Sequence, residues 1–552
     1  MLAKAASQVS HGFTTLRVLT TAGVIRPYSP QVLAGIATTL RDWGRGPAGG
    51  FTTLALRAPD QVGLIDELGS LTYQQMHERS NALARSLRDL GVHEGDSVAL
   101  LARNHRGFVD AAIAVSKLGA DVLYLNTAFS APQLGEVCER EDPAAVIYDE
   151  EFTELIDESG IDVTRVLAWT DSDSDDDPDT DTADAQDLPS TEKLIEAGSP
   201  ADLTPPEHKS RSVILTSGTT GTPKGAPRSE GSFDAGVALL SRLPLRRGWK
   251  CHIAAPLFHT WGWAHLSLAM LMGTTVVLRR KFDPEECLRA TSESPCDSLA
   301  VIPVMLQRIM QLPDQTLDRY DLSSVKVVAA SGSALPGDLG TRWMDRFGEN
   351  LYNIYGSTEV AWATIANPAD LRAVPGTAGR PPFATIVKVY GEGDTEVASG
   401  EPGRIFVGNS MLFEGYTGGG SKDMIDGLMA TGDVGRMAED GRLVVEGRDD
   451  EMIVSGGENV FPQEVEDCLA RHDAVVEVAA ISVDDEDFGK RLRAFVVLKS
   501  ADAASEDDLK EHVKSNLARY KVPRDFIFLD ELPRNATGKI LKRELADGDT
   551  DE

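Results

Sequence analysis

Apolar and polar positions alternate between two kinds of pattern from about residue 51 onward. The segment LTYQQMHERSNALARSLRDLGV predicts a helix after a short strand start, and the apolar run SVALLA follows it. The helical segment DAAIAVSKLGA is followed in the same way by the run DVLYL. Short apolar runs that alternate with helices are typical of parallel sheets. The pattern therefore predicts an α/β protein with parallel-rich sheets.

The pattern continues along the chain and then changes near residue 450. Further buried strands are predicted at AAVIY, SVILT, TTVVLR, SLAVIP, VKVVAAS and GRIFVG. A charged stretch, EGRDDEMIVSGGENV, precedes shorter units: helices at PQEVEDCLARH and DLKEHVKSNLARY, and strands at VVEVAAISV and LRAFVVL. We therefore predict a large domain over residues 51–449 and a small, mobile α+β domain over residues 450–552.

Residues 1–50 differ from the rest of the chain in charge. They carry five basic side chains against Asp42 alone: Lys4, Arg17, Arg26, Arg41 and Arg45. Ser29 and Pro30 are predicted to begin a helix that Gly44 ends. Its apolar positions recur on one face: Leu33, Ile36, Leu40 and Trp43. A basic amphipathic helix of this kind either lies on an anionic membrane surface or packs on the main domain, and the sequence favours packing.

Composition and charge exclude several classes of function. The net charge of −32 disfavours nucleic acid, since a phosphate backbone needs clustered lysine and arginine. Residues 171–187, which are more than half aspartate, predict a solvated loop and lack the order of a calcium-binding loop. Five scattered cysteines predict reduced, mostly buried thiols. Because a signal peptide and a membrane-spanning run are not apparent, we expect a cytoplasmic protein.

The sharpest local motif is TSGTTGTPKG at residues 216–225, directly after the apolar strand SVIL. Such a loop can direct backbone N–H groups and hydroxyls toward phosphate oxygens, with Lys224 adding positive charge. A Walker A loop is excluded, because that motif needs Gly at Pro223 and Ser or Thr at Gly225. The alternative is a flexible glycine-rich turn, but the order of residues favours a nucleoside triphosphate site.

Together with four later motifs, this loop resembles the adenylate-forming superfamily of acyl-CoA synthetases, nonribosomal-peptide adenylation domains and luciferases. The later motifs are YGSTE at 355–359, TGD at 431–433, GR at 447–448 and PRNATGK at 533–539. They occur in the family's order and approximate spacing from about residue 51 to 545. The SGGEN segment at 455–459 and the N-terminal half are most similar to bacterial fatty-acid–CoA ligases.

The resemblance implies a nucleotide site. Asp433 would accept hydrogen bonds from the ribose hydroxyls, Arg448 would contact the nucleotide, Tyr355 would stack on the adenine ring, and Glu359 would bind Mg²⁺. Thr358 would offer its hydroxyl to phosphate. The implied ATP- and AMP-binding residues are Thr216, Ser217, Gly218, Thr219, Thr220, Gly221, Lys224, Ser331, Gly332, Ser333, Ala334, Tyr355, Gly356, Ser357, Thr358, Asp433 and Arg448.

The segment PLFHTWGW at residues 256–263 matches the family's aromatic segment beside the acyl carboxylate. It departs from the commonest form in having two tryptophans. His259 would be a neighbour of the carboxylate or a gate, with Trp261 and Trp263 lining the tunnel entrance. A histidine satisfied inside an aromatic core is the equally weighted alternative.

The remaining implied residues belong to the two half-reactions. Lys539 would stabilise the negative charge that builds up as the carboxylate attacks the α-phosphorus, so Lys539, Glu359 and Thr358 are the predicted catalytic residues. Asp450 would be the hinge about which the small domain rotates. The rotation would bring Ser455, Gly456 and Gly457 to coenzyme A, whose thin pantetheine arm could pass two residues without side chains.

From these residues we predict an AMP-forming acid–thiol ligase that uses ATP, Mg²⁺ and coenzyme A. The expected substrate is a medium- or long-chain fatty acid, on the resemblance and on the apolar segment HLSLAMLMG. The alternatives are a fatty acyl-AMP ligase that loads a carrier protein, and a CoA ligase for a short-chain or aryl acid. A non-catalytic nucleotide-binding protein would be expected to have lost Glu359, Asp433, Arg448 or Lys539, and all four are present.

Overall fold

The computed structural model describes residues 2–171, 188–215, 233–335, 338–416, 421–449, 453–455, 458–485, 489–535 and 538–547. Its helices are α1 (Leu2–Thr21), α2 (Pro30–Trp43), α3 (Pro47–Arg57), α4 (Tyr73–Asp89), α5 (Arg106–Leu118), α6 (Ala131–Glu141), α7 (Thr153–Glu158), α8 (Thr191–Ala197), α9 (Phe233–Leu240), α10 (Thr260–Met272), α11 (Pro284–Glu293), α12 (Pro303–Met310), α13 (Asp314–Leu317), α14 (Leu339–Phe347), α15 (Pro368–Ala373), α16 (Pro462–Leu469), α17 (Glu506–Asn516) and α18 (Lys542–Asp547).

The strands are β1 (Val62–Asp66), β2 (Gly69–Thr72), β3 (Ser97–Leu101), β4 (Asp121–Tyr124), β5 (Ala145–Asp149), β6 (Thr164–Trp169), β7 (Ser212–Ile214), β8 (Lys250–Ile253), β9 (Thr275–Val277), β10 (Ser298–Val301), β11 (Val327–Ala330), β12 (Leu351–Tyr355), β13 (Thr364–Ala366), β14 (Ile386–Tyr390), β15 (Gly403–Gly408), β16 (Met424–Ile425), β17 (Leu428–Met437), β18 (Leu443–Arg448), β19 (Ile453–Ser455), β20 (Glu458–Val460), β21 (Val475–Asp485), β22 (Gly489–Leu498) and β23 (Asp525–Phe528).

The chain divides into two compact units. The first comprises Met1–Ala300, Pro313–Val327 and Ser410–Ser421, and the second comprises Val301–Leu312, Val328–Asn409 and Lys422–Glu552.

In the first unit, one sheet has the strand order β6-β5-β3-β4-β7 with every pair parallel. Strands β10, β8, β9 and β1 pair in parallel in that order, and β2 closes the edge antiparallel to β1. Every residue of helix α5 is buried. Its buried charged side chains have partners: Arg106 pairs with Asp66, Asp110 pairs with Arg79, and Lys117 donates to Ser80 and Asn81.

In the second unit, β11 pairs in parallel with β12, and β13 pairs antiparallel with β12. Strands β14, β15, β17 and β16 form an antiparallel sheet in that order, with β18 paired to β17. Near the C-terminus, β21 and β22 are antiparallel and β23 adds in parallel. Alternate residues of β21 and β22 pack on two apolar clusters, so this sheet is covered on both faces.

The predicted α/β class with parallel-rich sheets is confirmed, and each predicted helix and strand is present. The strand GRIFVG, however, lies in the antiparallel β14–β18 sheet instead of a parallel one. Its neighbours β14 and β17 both run antiparallel to it. In the same sheet, the five residues between β17 and β18 are too few for the crossover that parallel pairing requires. The boundary predicted at residue 50 falls inside helix α3, and the boundary at residue 450 stays a prediction.

The N-terminal region contains two helices beyond the predicted one. The predicted helix is α2, where the Ser29 hydroxyl accepts a hydrogen bond from the Val32 N–H at 3.3 Å and Gly44 follows the last turn. Helix α1 precedes it and α3 follows it. The five cysteines are free and buried, as predicted. Among the described residues, no helix is long and apolar enough to cross a membrane.

Candidate active site

The segment that carries Thr358 and Glu359 is a tight reversal between β12 and β13 in the second unit. The Ala363 N–H donates to the Tyr355 carbonyl at 2.8 Å, which closes the loop at its base. A side chain at Gly356 would place its Cβ 2.3 Å from the Ala361 carbonyl oxygen, so only glycine fits there. Ala361 has a φ of +62°, which is unusual for a residue with a side chain. Backbone strain of this kind concentrates at functional sites.

Asn409, which follows β15, holds this reversal in place. Its side-chain amide donates to the carbonyls of Val360 and Trp362, both at 2.8 Å. The two half-buried side chains of Thr358 and Glu359 are thus carried on a loop whose far end is fixed. Asn409 is not part of any motif that we identified in the sequence. An asparagine directly after the apolar run GRIFVG was the available signal.

Tyr355, Asp433 and Arg448 come together from three strands. The Tyr355 hydroxyl donates to Asp433 Oδ2 at 2.5 Å, and Arg448 Nη1 lies 3.5 Å from Asp433 Oδ1. Asp433 and Arg448 are directly opposite each other on β17 and β18. Burial, followed by the charge of Asp433, raises the pKa of Tyr355 well above its ordinary value. The Tyr355 hydroxyl therefore stays protonated and donates its hydrogen bond to the carboxylate of Asp433.

Thr431 fixes the aspartate from behind. Its buried hydroxyl donates to the Ile405 carbonyl at 3.1 Å and accepts from the Asp433 N–H at 3.1 Å. In the motif TGD, Thr431 therefore has a structural role, whereas Asp433 carries the carboxylate that can accept further hydrogen bonds. The carboxylate of Asp433 retains acceptor capacity beyond its bond to Tyr355, because an ionised carboxylate has about four lone-pair positions.

The Ser331–Ala334 turn ends strand β11. The Ser331 hydroxyl donates to the Ile354 carbonyl at 2.8 Å, which holds the turn against β12. Gly332, Ser333 and Ala334 are exposed. Their backbone is accordingly accessible to a ligand.

Lys539 stands at the end of a second tight turn in the same unit. The Lys539 N–H donates to Asn535 Oδ1 at 2.9 Å, and the Asn535 N–H donates to the Lys539 carbonyl at 2.9 Å. Gly538 has a φ of +74°, and a Cβ there would lie 2.9 Å from Ile302 Cδ1. A Cβ at Gly332 would lie 3.3 Å from Ile302 Cγ2. Ile302 therefore lies between the lysine turn and the Ser331–Ala334 turn.

The predicted acyl residues lie in the first unit, at the start of helix α10. Asn104 holds the preceding segment: its amide donates to the carbonyls of Ile253 and Ala255, and its oxygen accepts from the Leu257 N–H at 2.9 Å. His259 is half-buried before the first turn of α10, and burial lowers its pKa to about 4. The imidazole is therefore neutral at neutral pH. Asn104, like Asn409, was not identified from the sequence.

The two tryptophans of this segment point in different directions. Residues two apart on a helix lie on nearly opposite faces, so Trp261 and Trp263 do not share one wall. Trp261 is buried and makes an edge contact with His265, with ring centroids 4.2 Å apart. Trp263 is half-buried, and its ring centroid lies 4.5 Å from that of Tyr124.

Several predicted site residues lie outside the described residues. They are Thr216, Ser217, Gly218, Thr219, Thr220, Gly221, Lys224, Asp450, Gly456 and Gly457. Ser455 is described by its backbone, which pairs with Glu458 between β19 and β20. The predicted roles of these residues stay predictions.

The second unit thus contains an exposed backbone turn after β11 and a carboxylate fixed between a tyrosine and an arginine. A family model described as AMP-binding enzyme matches residues 51–417, and a model of the AMP-binding enzyme C-terminal domain matches residues 464–539. The chain belongs to the AMP-binding enzyme family. The predicted membership of the adenylate-forming superfamily is confirmed.

Relatives of known activity cover most of the chain. A 2-succinylbenzoate–CoA ligase of Bacillus licheniformis is 32% identical over 88% of this chain and 97% of its own length. A feruloyl-CoA synthase of Amycolatopsis is 32% identical over 86% and 93%. An indoleacetate–CoA ligase of Aromatoleum aromaticum is 30% identical over 86% and 92%. The predicted class, an AMP-forming acid–thiol ligase, is confirmed, as is its use of ATP, Mg²⁺ and coenzyme A.

Solved structures share the fold. An anthranilate CoA ligase in complex with anthranoyl-AMP matches with a TM-score of 0.80 at 24% identity, over 91% of this chain and 97% of that one. An o-succinylbenzoate CoA synthetase of Bacillus subtilis, in complex with its acyl-adenylate, matches with a TM-score of 0.76 at 26% identity, over 90% and 97%. The names of these relatives contain ring-bearing acids, so the predicted fatty-acid substrate is not supported and the alternative acid fits better.

Proposed function

We propose that this chain ligates a ring-bearing carboxylic acid to coenzyme A through an acyl-adenylate, with release of AMP and pyrophosphate. The observation that carries the proposal is the similarity, at 30–32% identity over most of the chain, to CoA ligases named for such acids. The polar cluster of the second unit and the aromatic segment of the first unit support the two halves of the reaction.

The nucleotide half rests on Asp433, Arg448 and the Ser331–Ala334 turn. Asp433 keeps lone pairs for the ribose hydroxyls while Tyr355 and Arg448 hold its position. The exposed backbone of the turn is suited to border the adenine. Glu359 fits Mg²⁺, which typically joins one or two protein carboxylates to nucleotide phosphates. When bound, the ion would neutralise phosphate charge, with Glu359 as its protein ligand.

In the adenylation step, a carboxylate oxygen of the acid attacks the α-phosphorus of ATP, the new O–P bond forms, and pyrophosphate leaves. Both partners are anionic, so a positive charge between them stabilises the transition state without moving a proton. Lys539 supplies that charge. Its turn contacts Ile302, which also contacts the Ser331–Ala334 turn, and this proximity supports the role.

In the second step, the sulfur of coenzyme A attacks the acyl carbonyl carbon, AMP leaves, and the thiol proton passes to solvent. Ser455, Gly456 and Gly457 are proposed to border the pantetheine arm. Asp450 is proposed as the hinge that exchanges Lys539 for this segment. The domain division at residue 450 is part of the same proposal.

The acid half rests on the start of α10. A neutral His259 beside the acid can donate one hydrogen bond without forming a strong ion pair that would hold the carboxylate in its ground state. The half-buried ring of Trp263 packs on the buried ring of Tyr124, and its accessible part is a surface against which a planar ring can pack edge to face. Trp261 is buried against His265 and is proposed to support the helix more than to contact the acid.

The test is AMP release by the full chain with ATP, benzoate or cinnamate, and coenzyme A, with the thioester product identified by mass. AMP release that requires coenzyme A and yields the aroyl or cinnamoyl thioester is expected. Trp263→Ala should raise KM for these acids about tenfold, because an aromatic contact plus its buried area is lost. Trp249→Ala, at a half-buried tryptophan that contacts Lys326, is the matched control. Transfer only to a carrier protein would refute the proposal.

A further inference from the structure

The N-terminal segment, residues 11–57, concentrates exposed apolar side chains. Ten large apolar side chains are exposed among the described residues, and five of them are in this segment: Phe13, Leu16, Ile25, Leu33 and Leu56. The other five come from five separate segments of the chain. Clustered exposed apolar side chains are typical of interaction surfaces.

The geometry of α1 and α2 accounts for this exposure. On α1, Phe13, Leu16 and Arg17 share one exposed face, while Val18 and Leu19 are buried on the other side. Helix α2 contains no buried residue, although Leu33, Ile36, Leu40 and Trp43 recur along one face. The packing of this face on the main domain, which the sequence favoured, is therefore only partial.

The same segment has the opposite charge to the rest of the chain. Residues 1–50 carry five basic side chains and one acidic, a net charge of +4, so the remaining residues carry −36. Arg17, Arg26 and Arg45 are exposed, and Arg41 is paired with Asp42 at 2.6 Å. The family match begins at residue 51, so this segment lies outside the part of the chain that the family model covers.

We propose that residues 11–50 dock the protein onto an anionic lipid surface, with Phe13 and Leu16 inserted among the lipids and Arg17 and Arg26 at the headgroups. Basic side chains attract the segment to negatively charged lipids. The rest of the chain, with its net charge of −36, is repelled by the same lipids, so the protein is oriented with this segment toward the lipid surface. A twofold contact with a second copy is disfavoured, because it would bring two basic segments together and their like charges would repel. Lipid offers both an apolar interior and negative charge, which together match the two features of the segment.

The experiment is co-sedimentation of the full chain with vesicles of phosphatidylcholine alone and with half phosphatidylglycerol. Strong binding to the anionic vesicles and little to the neutral ones is expected. Arg17→Glu with Arg26→Glu should weaken binding about 25-fold or more, since each cation at an anionic surface contributes about fivefold. Phe13→Ser with Leu16→Ser should weaken it about tenfold or more per side chain.

The matched control is Ile386→Ser with Phe528→Ser, which removes two other exposed apolar side chains, from strands β14 and β23. It should leave vesicle binding unchanged, and all variants should keep the AMP-release rate without vesicles. Equal binding to both vesicle types, or equal loss in the control, would overturn the proposal. So would a wild-type dimer in light scattering that the Phe13→Ser, Leu16→Ser variant abolishes. If the Phe13→Ser, Leu16→Ser variant does not fold, vesicle binding by the Arg17→Glu, Arg26→Glu variant tests the proposal.

Discussion

Two asparagines hold two functional segments in the same manner, but the segments present different chemistry. Asn409 donates to two carbonyls of the Thr358–Glu359 reversal in the second unit. Asn104 does the same for the segment before α10 in the first unit. The first segment carries the hydroxyl of Thr358 and the carboxylate of Glu359. The second carries a neutral imidazole, that of His259, and two tryptophan rings. If this second segment binds the acid, as we propose, its selectivity depends on packing.

The contrast suggests that the two halves of the reaction are determined by different forces. Phosphate and ribose are recognised by charges and hydrogen bonds at fixed positions, for which few residue types are suitable. An apolar ring is recognised by the shape and area of the surrounding side chains, for which many residue types serve. The acid can therefore change among relatives while the nucleotide chemistry remains.

The largest expected effect is on acyl-adenylate formation and comes from removing the charge of Lys539. Lys539→Ala should slow acyl-adenylate formation at least about 10²–10³-fold, because a preorganised charge at the transition state is lost. Thioester formation from supplied acyl-AMP should stay near the wild-type rate. Pyrophosphate exchange and single-turnover transfer measure the two steps. Lys510→Ala, at a half-buried lysine paired with Glu506, is the control and should change neither.

Replacing each asparagine by aspartate tests whether the two segments affect the KM of different substrates. Asn409→Asp replaces two donated hydrogen bonds by repulsion, so KM for ATP should rise about 10- to 100-fold, equivalent to about 1.5–3 kcal/mol. Asn104→Asp should instead raise KM for the acid and leave KM for ATP nearly unchanged. Steady-state kinetics with each substrate varied distinguishes them. If both variants changed the same KM, the two segments would not act separately.

A smaller effect is expected at Tyr355. Tyr355→Phe keeps the ring but removes the 2.5 Å hydrogen bond to Asp433, so KM for ATP should rise about tenfold. Tyr355→Ala removes the ring as well and should raise it further. A phenylalanine variant as impaired as the alanine variant would show that the hydroxyl, and not the ring, carries the whole contribution.

The smallest expected effect is on the pH dependence of stability, and it arises from His265 on α10. Burial lowers the pKa of His265 to about 4, against about 6.5 in the unfolded chain. The unfolded state binds the proton more tightly, so this contribution to stability is complete above pH 6.5 and declines as the pH falls toward 4. Thermal unfolding of wild type and His265→Phe should show the wild type losing stability faster over this window. Parallel curves would contradict the assignment.

The sequence was sufficient for the helices, the strands and the family, because these depend on local patterns and motifs. The apolar run SVALLA, which forms β3, is an example. The sequence did not reveal Asn104 or Asn409, whose partners are 149 and 49 residues away in the chain. We also predicted a fatty acid, first on the resemblance to bacterial fatty-acid–CoA ligases and second on the apolar segment HLSLAMLMG, although such a segment suits a tunnel or a core equally well. Most of that segment is buried, as in a core.

The most direct test of the central claim is kcat/KM for AMP release across benzoate, cinnamate, butyrate, octanoate, dodecanoate and hexadecanoate. The account predicts that a ring-bearing acid exceeds every straight-chain acid by about tenfold or more, since aromatic packing adds to the area buried. A steady rise with chain length that ends above both ring-bearing acids would contradict it, while the adenylation chemistry of the second unit would still stand.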